Sequence, residues 1–174
     1  MINRLLCLAT ALLMSTAAMA HTTLVESEIK QGVASKFTLS VPHGCGAEAT
    51  LRLRVRIPAG LVAIKPQPKA GWALDVVSGA YETPQKLGET TLSEGVLELI
   101  WEGDLPDAYF DEFAFRGTVT EAVEVGSILY IPAVQECATG VERWIEIPVE
   151  GHGSHDLARP APAVKITPAG AHHH

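Results

Sequence analysis

A histidine that opens a polypeptide carries two nitrogen donors on one residue, the free α-amine and the imidazole. Together they close a chelate on a transition metal, and Cu(II) favours such tetragonal nitrogen and oxygen sites. His21 is placed to become that residue. It follows Met1–Ala20, which has Arg4 near its start, an apolar run from Leu5 to Met14 and the small-x-small ending Ala18-Met19-Ala20. That pattern reads as a secretory signal peptide cleaved ahead of His21, with the periplasm as the expected compartment.

The other metal-binding residue types narrow the chemistry. Met1, Met14 and Met19 all leave with the leader, so the expected mature chain holds no thioether for a Cu(I) or blue-copper centre. Cys7 leaves too, and Cys45 and Cys137 remain. Two cysteines in an exported domain most simply form one disulfide, with a pair of thiolate metal ligands as the alternative. A bridge closing so long a loop is worth about 4–5 kcal/mol in the chain-entropy model. His43, just before Gly44-Cys45, is a candidate second histidine for a two-histidine brace, or a turn residue beside the disulfide. His152 and His155 lie in a Gly-rich stretch, and the terminal His172–His174 say nothing about a specific site.

Composition removes several function classes. The formal charge of −7 lacks the basic footprint of a nucleic-acid binder. No second apolar run of spanning length follows the leader, so the mature chain is expected not to cross a membrane. No Gly-rich phosphate loop, Ser/His/Asp set or CxxC motif supports a nucleotide-binding, hydrolytic or thiol-redox role.

Positioning these residues requires strands. Leu51–Ile57 alternates leucine, valine and isoleucine with Arg52, Arg54 and Arg56, the pattern of a half-buried strand. Further strands are expected at Lys36–Val41, Trp72–Val77, Val96–Trp101, Asp111–Val119, Ile128–Val134 and Arg143–Val149, punctuated by Gly and Pro. Short strands at this spacing indicate an all-β fold, an immunoglobulin-like antiparallel β-sandwich. In Asp111–Arg116, Phe113 and Phe115 are expected inside, with Glu112 and Arg116 outside. In Arg143–Ile147 the isoleucines are expected inside, which puts Trp144 outside with Glu146. Trp72 and Trp101 are expected against the core, and Tyr109 and Phe110 beside the Glu112 strand. The expected organisation is a leader over 1–20, a sandwich domain over 21–149 and a flexible tail over 150–174, with room for one short strand at Ala163–Thr167.

The ordered motifs resemble those of the YcnI-like family of extracytoplasmic copper-binding proteins. They are His21-Thr22-Thr23, Val41-Pro42-His43-Gly44-Cys45, Lys65-Pro66 through Gly71-Trp72 and Trp101–Pro106. Phe110-Asp111-Glu112-Phe113, Pro132–Cys137 and Glu142-Arg143-Trp144 complete the set. The resemblance implies one Cu(II) per chain in a one-histidine brace. His21 would supply amine and imidazole, Glu112 a carboxylate oxygen, and Trp144 an aromatic wall beside the metal. It implies a non-enzymatic role in copper trafficking or homeostasis, with a periplasmic copper donor or acceptor protein as partner. Copper-bridged or edge-paired homodimers are compatible with it. Two other classes stand beside this reading: a copper oxidase or monooxygenase built on His21 and His43, and a protein-interaction module in which copper is incidental.

Overall fold

The computed structural model describes residues 21–149, 151 and 153–169, so the leader and His152, His172, His173 and His174 lie outside the described residues. The strands in chain order are β1 Thr23–Leu24, β2 Glu28–Lys30, β3 Ala34–Val41, β4 Thr50–Arg56, β5 Leu61–Pro66 and β6 Ala73–Leu87. They continue as β7 Thr90–Leu105, β8 Asp111–Val119, β9 Ile128–Tyr130, β10 Ala133–Glu136, β11 Val141–Trp144 and β12 Ala163–Thr167. One layer is a four-stranded sheet in the order β1-β3-β8-β5, and the facing layer has five strands, β11-β10-β4-β7-β6. A three-stranded sheet, β2-β12-β9, completes the fold, and its β2–β12 pair is the parallel one.

Alternation explains which side chains fill the sandwich. In β4, Leu53 and Val55 are buried while the three arginines point outward, as their spacing predicts. Leu51 breaks the pattern at 39 % exposure, because the register slips between Thr50 and Arg52. From β8, Phe113 and Phe115 enter the core as expected. Phe115 stacks on Phe37, ring centroids 5.1 Å apart, and Phe113 meets Trp72 and Trp101 edge-on at 4.8 and 5.7 Å. Trp101 is fully buried and Trp72 lies partly buried over Gly103, where no side chain would fit.

Three expectations need correction. Ile128–Val134 is two strands, β9 and β10, because Pro132 interrupts the ladder between them. The hairpin β6–β7 is far longer than Trp72–Val77 and Val96–Trp101 suggested. Gly79, Pro84, Gly88 and Gly95 mask that extension in the sequence. Finally, within the segment expected as a flexible tail, the described residues around Ala161 are built into the fold, and the strand expected at Ala163–Thr167 is present as β12. Glu146 and Ala161 bond through their backbones, and β12 buries Val164 and Ile166 between β2 and β9.

Cys45 and Cys137 form a disulfide with Cα atoms 6.1 Å apart. Beside it the Glu48 carboxylate accepts hydrogen bonds from the Thr139 hydroxyl at 2.6 Å and from the N–H groups of Thr139 and Gly140 at 2.9 and 3.0 Å. These donors, the Thr139 hydroxyl first, hold its pKa below the ordinary carboxylate value. A pKa depressed by folding gives stability that is present above the unfolded value, about 4.3, and lost as pH falls through the folded one. Urea unfolding between pH 6 and 3 should therefore show a steeper acid loss in the wild type than in Glu48→Gln, with parallel curves as the overturning result.

Candidate metal centre

The N-terminal strand is short, but its entry is pinned. Thr22 is 1 % exposed, and its hydroxyl donates to Gln135 Oε1 at 3.0 Å. Thr23 and Leu24 then pair with Ser40 and Leu39 on β3. His21, half-buried, sits immediately outside this anchor, its ring 5.6 Å from the Trp144 ring at an interplanar angle of 53°.

Gln135 is the centre of the arrangement. It points inward from β10 and is fully buried. Its Oε1 accepts from Thr22 and from the Trp144 indole N–H, and its Nε2 donates to the His43 carbonyl and Thr50 Oγ1, each at 2.9 Å. The indole N–H can only donate and the carbonyl can only accept, so the amide has a single orientation that satisfies all four partners. Thr22, Trp144, the segment after β3 and the start of β4 thus meet on one side chain. Sequence reasoning passed over Gln135. The available signal was a lone amide in phase with inward Ala133.

Trp144 does not lie on the outer face. It is 1 % exposed, whereas Ile145 and Ile147 are 45 % and 51 % exposed, the reverse of the expected phase. β11 ends at Trp144, which pairs with the inward Ala133, and the isoleucines fall beyond the strand. The indole can be buried because Gln135 satisfies its N–H. The structure thereby brings Trp144 to His21, but from the sandwich interior.

Glu112 is exposed on the outer face of β8, as its phase predicts. Ser40 of β3 pairs with Thr23 on one side and with Glu112 on the other, so the three positions form a row across the sheet. Strand spacing puts Glu112 roughly 10 Å from Thr23, measured along that row. No hydrogen bond or ion pair joins its carboxylate to His21 among the described residues. Lys69 fixes the start of β8 instead: its Nζ reaches Asp111 Oδ1 at 2.6 Å and the Glu112 carbonyl at 3.2 Å. Tyr109 and Phe110, 65 % and 68 % exposed, precede that strand.

His43 is a turn residue after β3, its Nδ1 2.7 Å from the Gly44 carbonyl oxygen, close to the disulfide. No group of three or more His, Cys, Asp or Glu stands ready to hold a metal among the described residues. A bidentate histidine with one carboxylate needs only two residues, so that finding bears on larger clusters alone. No helix among the described residues is long and apolar enough to cross a membrane.

A family model described as "Domain of unknown function (DUF1775)" matches residues 21–166, from His21 into β12. Among solved structures the chain is similar to an uncharacterized protein from Nocardia farcinica whose crystal structure reveals an immunoglobulin-like fold. The two are 20% identical with a TM-score of 0.62, covering 84% of this chain and 98% of that one. This likeness speaks to the fold. No curated protein matches the chain.

Replacing Gln135 by leucine keeps volume but strands the Thr22 and Thr50 hydroxyls, the Trp144 N–H and the His43 carbonyl. Each buried orphan costs about 1–3 kcal/mol, so Gln135→Leu should destabilise by at least about 2 kcal/mol. Chemical denaturation reads that loss, and a red shift of tryptophan emission reports a loosened Trp144. An unchanged midpoint would show that the hub is energetically idle.

Proposed function

The chain belongs to the DUF1775 family, and from that premise we propose that it is a periplasmic Cu(II)-binding protein of the YcnI-like kind, serving copper trafficking or homeostasis. The observation that supports this reading most is the pairing of His21 with Trp144, held by the Thr22 and Trp144 hydrogen bonds to one buried amide oxygen. A solvated terminal histidine needs no such anchor. Here the residue next to it is buried and tethered, which restricts where its donors can go.

Copper is the cargo. Once the leader is removed, His21 would offer its α-amine and imidazole, and Glu112 a hard anionic oxygen that favours Cu(II) over Cu(I). Trp144 would wall the metal on one side without ligating it. With no thiolate or thioether in the set, reduction weakens the grip, so delivery to a partner protein can follow the oxidation state of the ion. The Cys45–Cys137 disulfide withdraws both mature cysteines from competition for the metal. This is binding chemistry rather than catalysis: with a reductant and oxygen, the loaded protein should release little hydrogen peroxide.

Calorimetry and electron paramagnetic resonance of protein processed to His21 test the reading. One equivalent of Cu(II) should bind with nitrogen and oxygen ligation. His21→Ala, or a single residue added ahead of His21, should each weaken binding by about a hundredfold or more. Glu112→Gln should weaken it less. The α-amine, with a reference pKa near 8, must shed a proton to bind, so affinity should fall as pH drops below about 8. Tight binding that survives His21→Ala, or spectra with sulfur ligation, would overturn the proposal.

A further inference from the structure

The long β6–β7 hairpin abandons regular pairing halfway along. Ala80 pairs with Glu94 and Gln85 with Leu92, so Tyr81, Glu82, Thr83 and Pro84 stand against Ser93 alone. Such a bulge re-aims side chains that a regular strand would alternate between faces. Here it turns that stretch towards a cavity of about 550 Å³ between the hairpin and the sandwich. Tyr81 lies across Gly95, where any Cβ would collide with its ring and hydroxyl. Burial pushes the Tyr81 pKa up, which keeps the hydroxyl neutral. Ile57, Leu61 and Leu97 supply an apolar wall, and Tyr130 a second aromatic one.

A cation stands in the same lining. Arg52 is engaged by Glu102 and Glu136, and Arg54 by Glu98 and Glu136. Arg56 pairs across the ladder with Glu98, but Arg54 already holds that carboxylate. The Arg56 guanidinium therefore has no hydrogen bond or ion pair among the described residues, and it lines the cavity. Exposed Glu82 is the carboxylate in the lining, so a ligand's negative charge belongs at the Arg56 end. The volume falls in the range of small-molecule sites, about 300–1,000 Å³.

We propose that this cavity binds a monocarboxylate with an apolar body, such as a medium-chain fatty acid. Its carboxylate rests on Arg56 and its chain lies among Tyr81, Leu97 and Ile57. The lining shares no residue with the His21, Glu112, Gln135 and Trp144 set, so the site is independent of metal binding.

Decanoate tests the proposal, with decanol as the uncharged control. Calorimetry should show saturable binding of one decanoate, unaffected by His21→Ala. Loss of a charged hydrogen-bond donor should make Arg56→Gln at least about tenfold weaker. Decanol should match decanoate's affinity for that variant. Ala80→Trp, at an exposed lining position, fills the space and should block binding while leaving the thermal midpoint unchanged. In a nuclear magnetic resonance titration the Gly95 and Ala59 amides should shift together. The proposal is overturned by absence of saturable binding, by binding that neither variant alters, or by shifts confined to other regions.

Discussion

A single buried amide sets the order of this sandwich. Gln135 sits in a layer otherwise filled by leucine, valine and aromatic side chains, where an unpaired amide is costly. All of its hydrogen-bonding capacity is used, two bonds received and two given. A satisfied buried network of this kind discriminates among alternative packings more sharply than apolar contact does, because any slip strands several groups at once. Shifting β10 by one residue would turn Gln135 to solvent and leave the Trp144 indole and the Thr22 hydroxyl buried without partners. The position of His21 is thus a consequence of core chemistry rather than of the terminal residues themselves.

The outer face of the five-stranded sheet follows a different logic. Its Arg52, Arg54, Glu98, Glu102 and Glu136 side chains form a ladder of partly exposed ion pairs. Pairs of this exposure contribute little stability each. What the ladder does is assign partners, and with Glu98 committed to Arg54 it leaves Arg56 uncommitted among the described residues. The surface charges therefore matter less for holding the sheet together than for deciding which one is available.

Much of the fold was legible in the sequence because alternation is a strong signal where one face is wet. β4 and β8 show it, with arginines and Glu112 outside and the phenylalanines inside. The disulfide followed from the count of two cysteines left after the expected leader. Signals failed where strand ends decide the outcome. Reading Arg143–Val149 as one strand inverted the phase of Trp144, since the ladder stops at that residue and its burial depends on a distant glutamine. Glycine and proline hid the outer half of the β6–β7 hairpin, whereas the last strand, β12, stands where the alternation of Ala163–Thr167 placed it. For the candidate centre, residue type pointed to His21 and the family resemblance to Glu112 and Trp144, but no periodicity could reveal the amide that joins Thr22 to Trp144.

The sheet β2-β12-β9 ties the beginning of the domain to its end: the Thr167 hydroxyl donates to the Ile29 carbonyl, 138 residues away. Contacts of such sequence separation form late and slowly. A chain synthesised amino end first cannot complete this sheet until its final strand is available. Closure of the domain therefore waits for its last strand, and a polypeptide clipped before residue 163 would present β2 and β9 with an open seam.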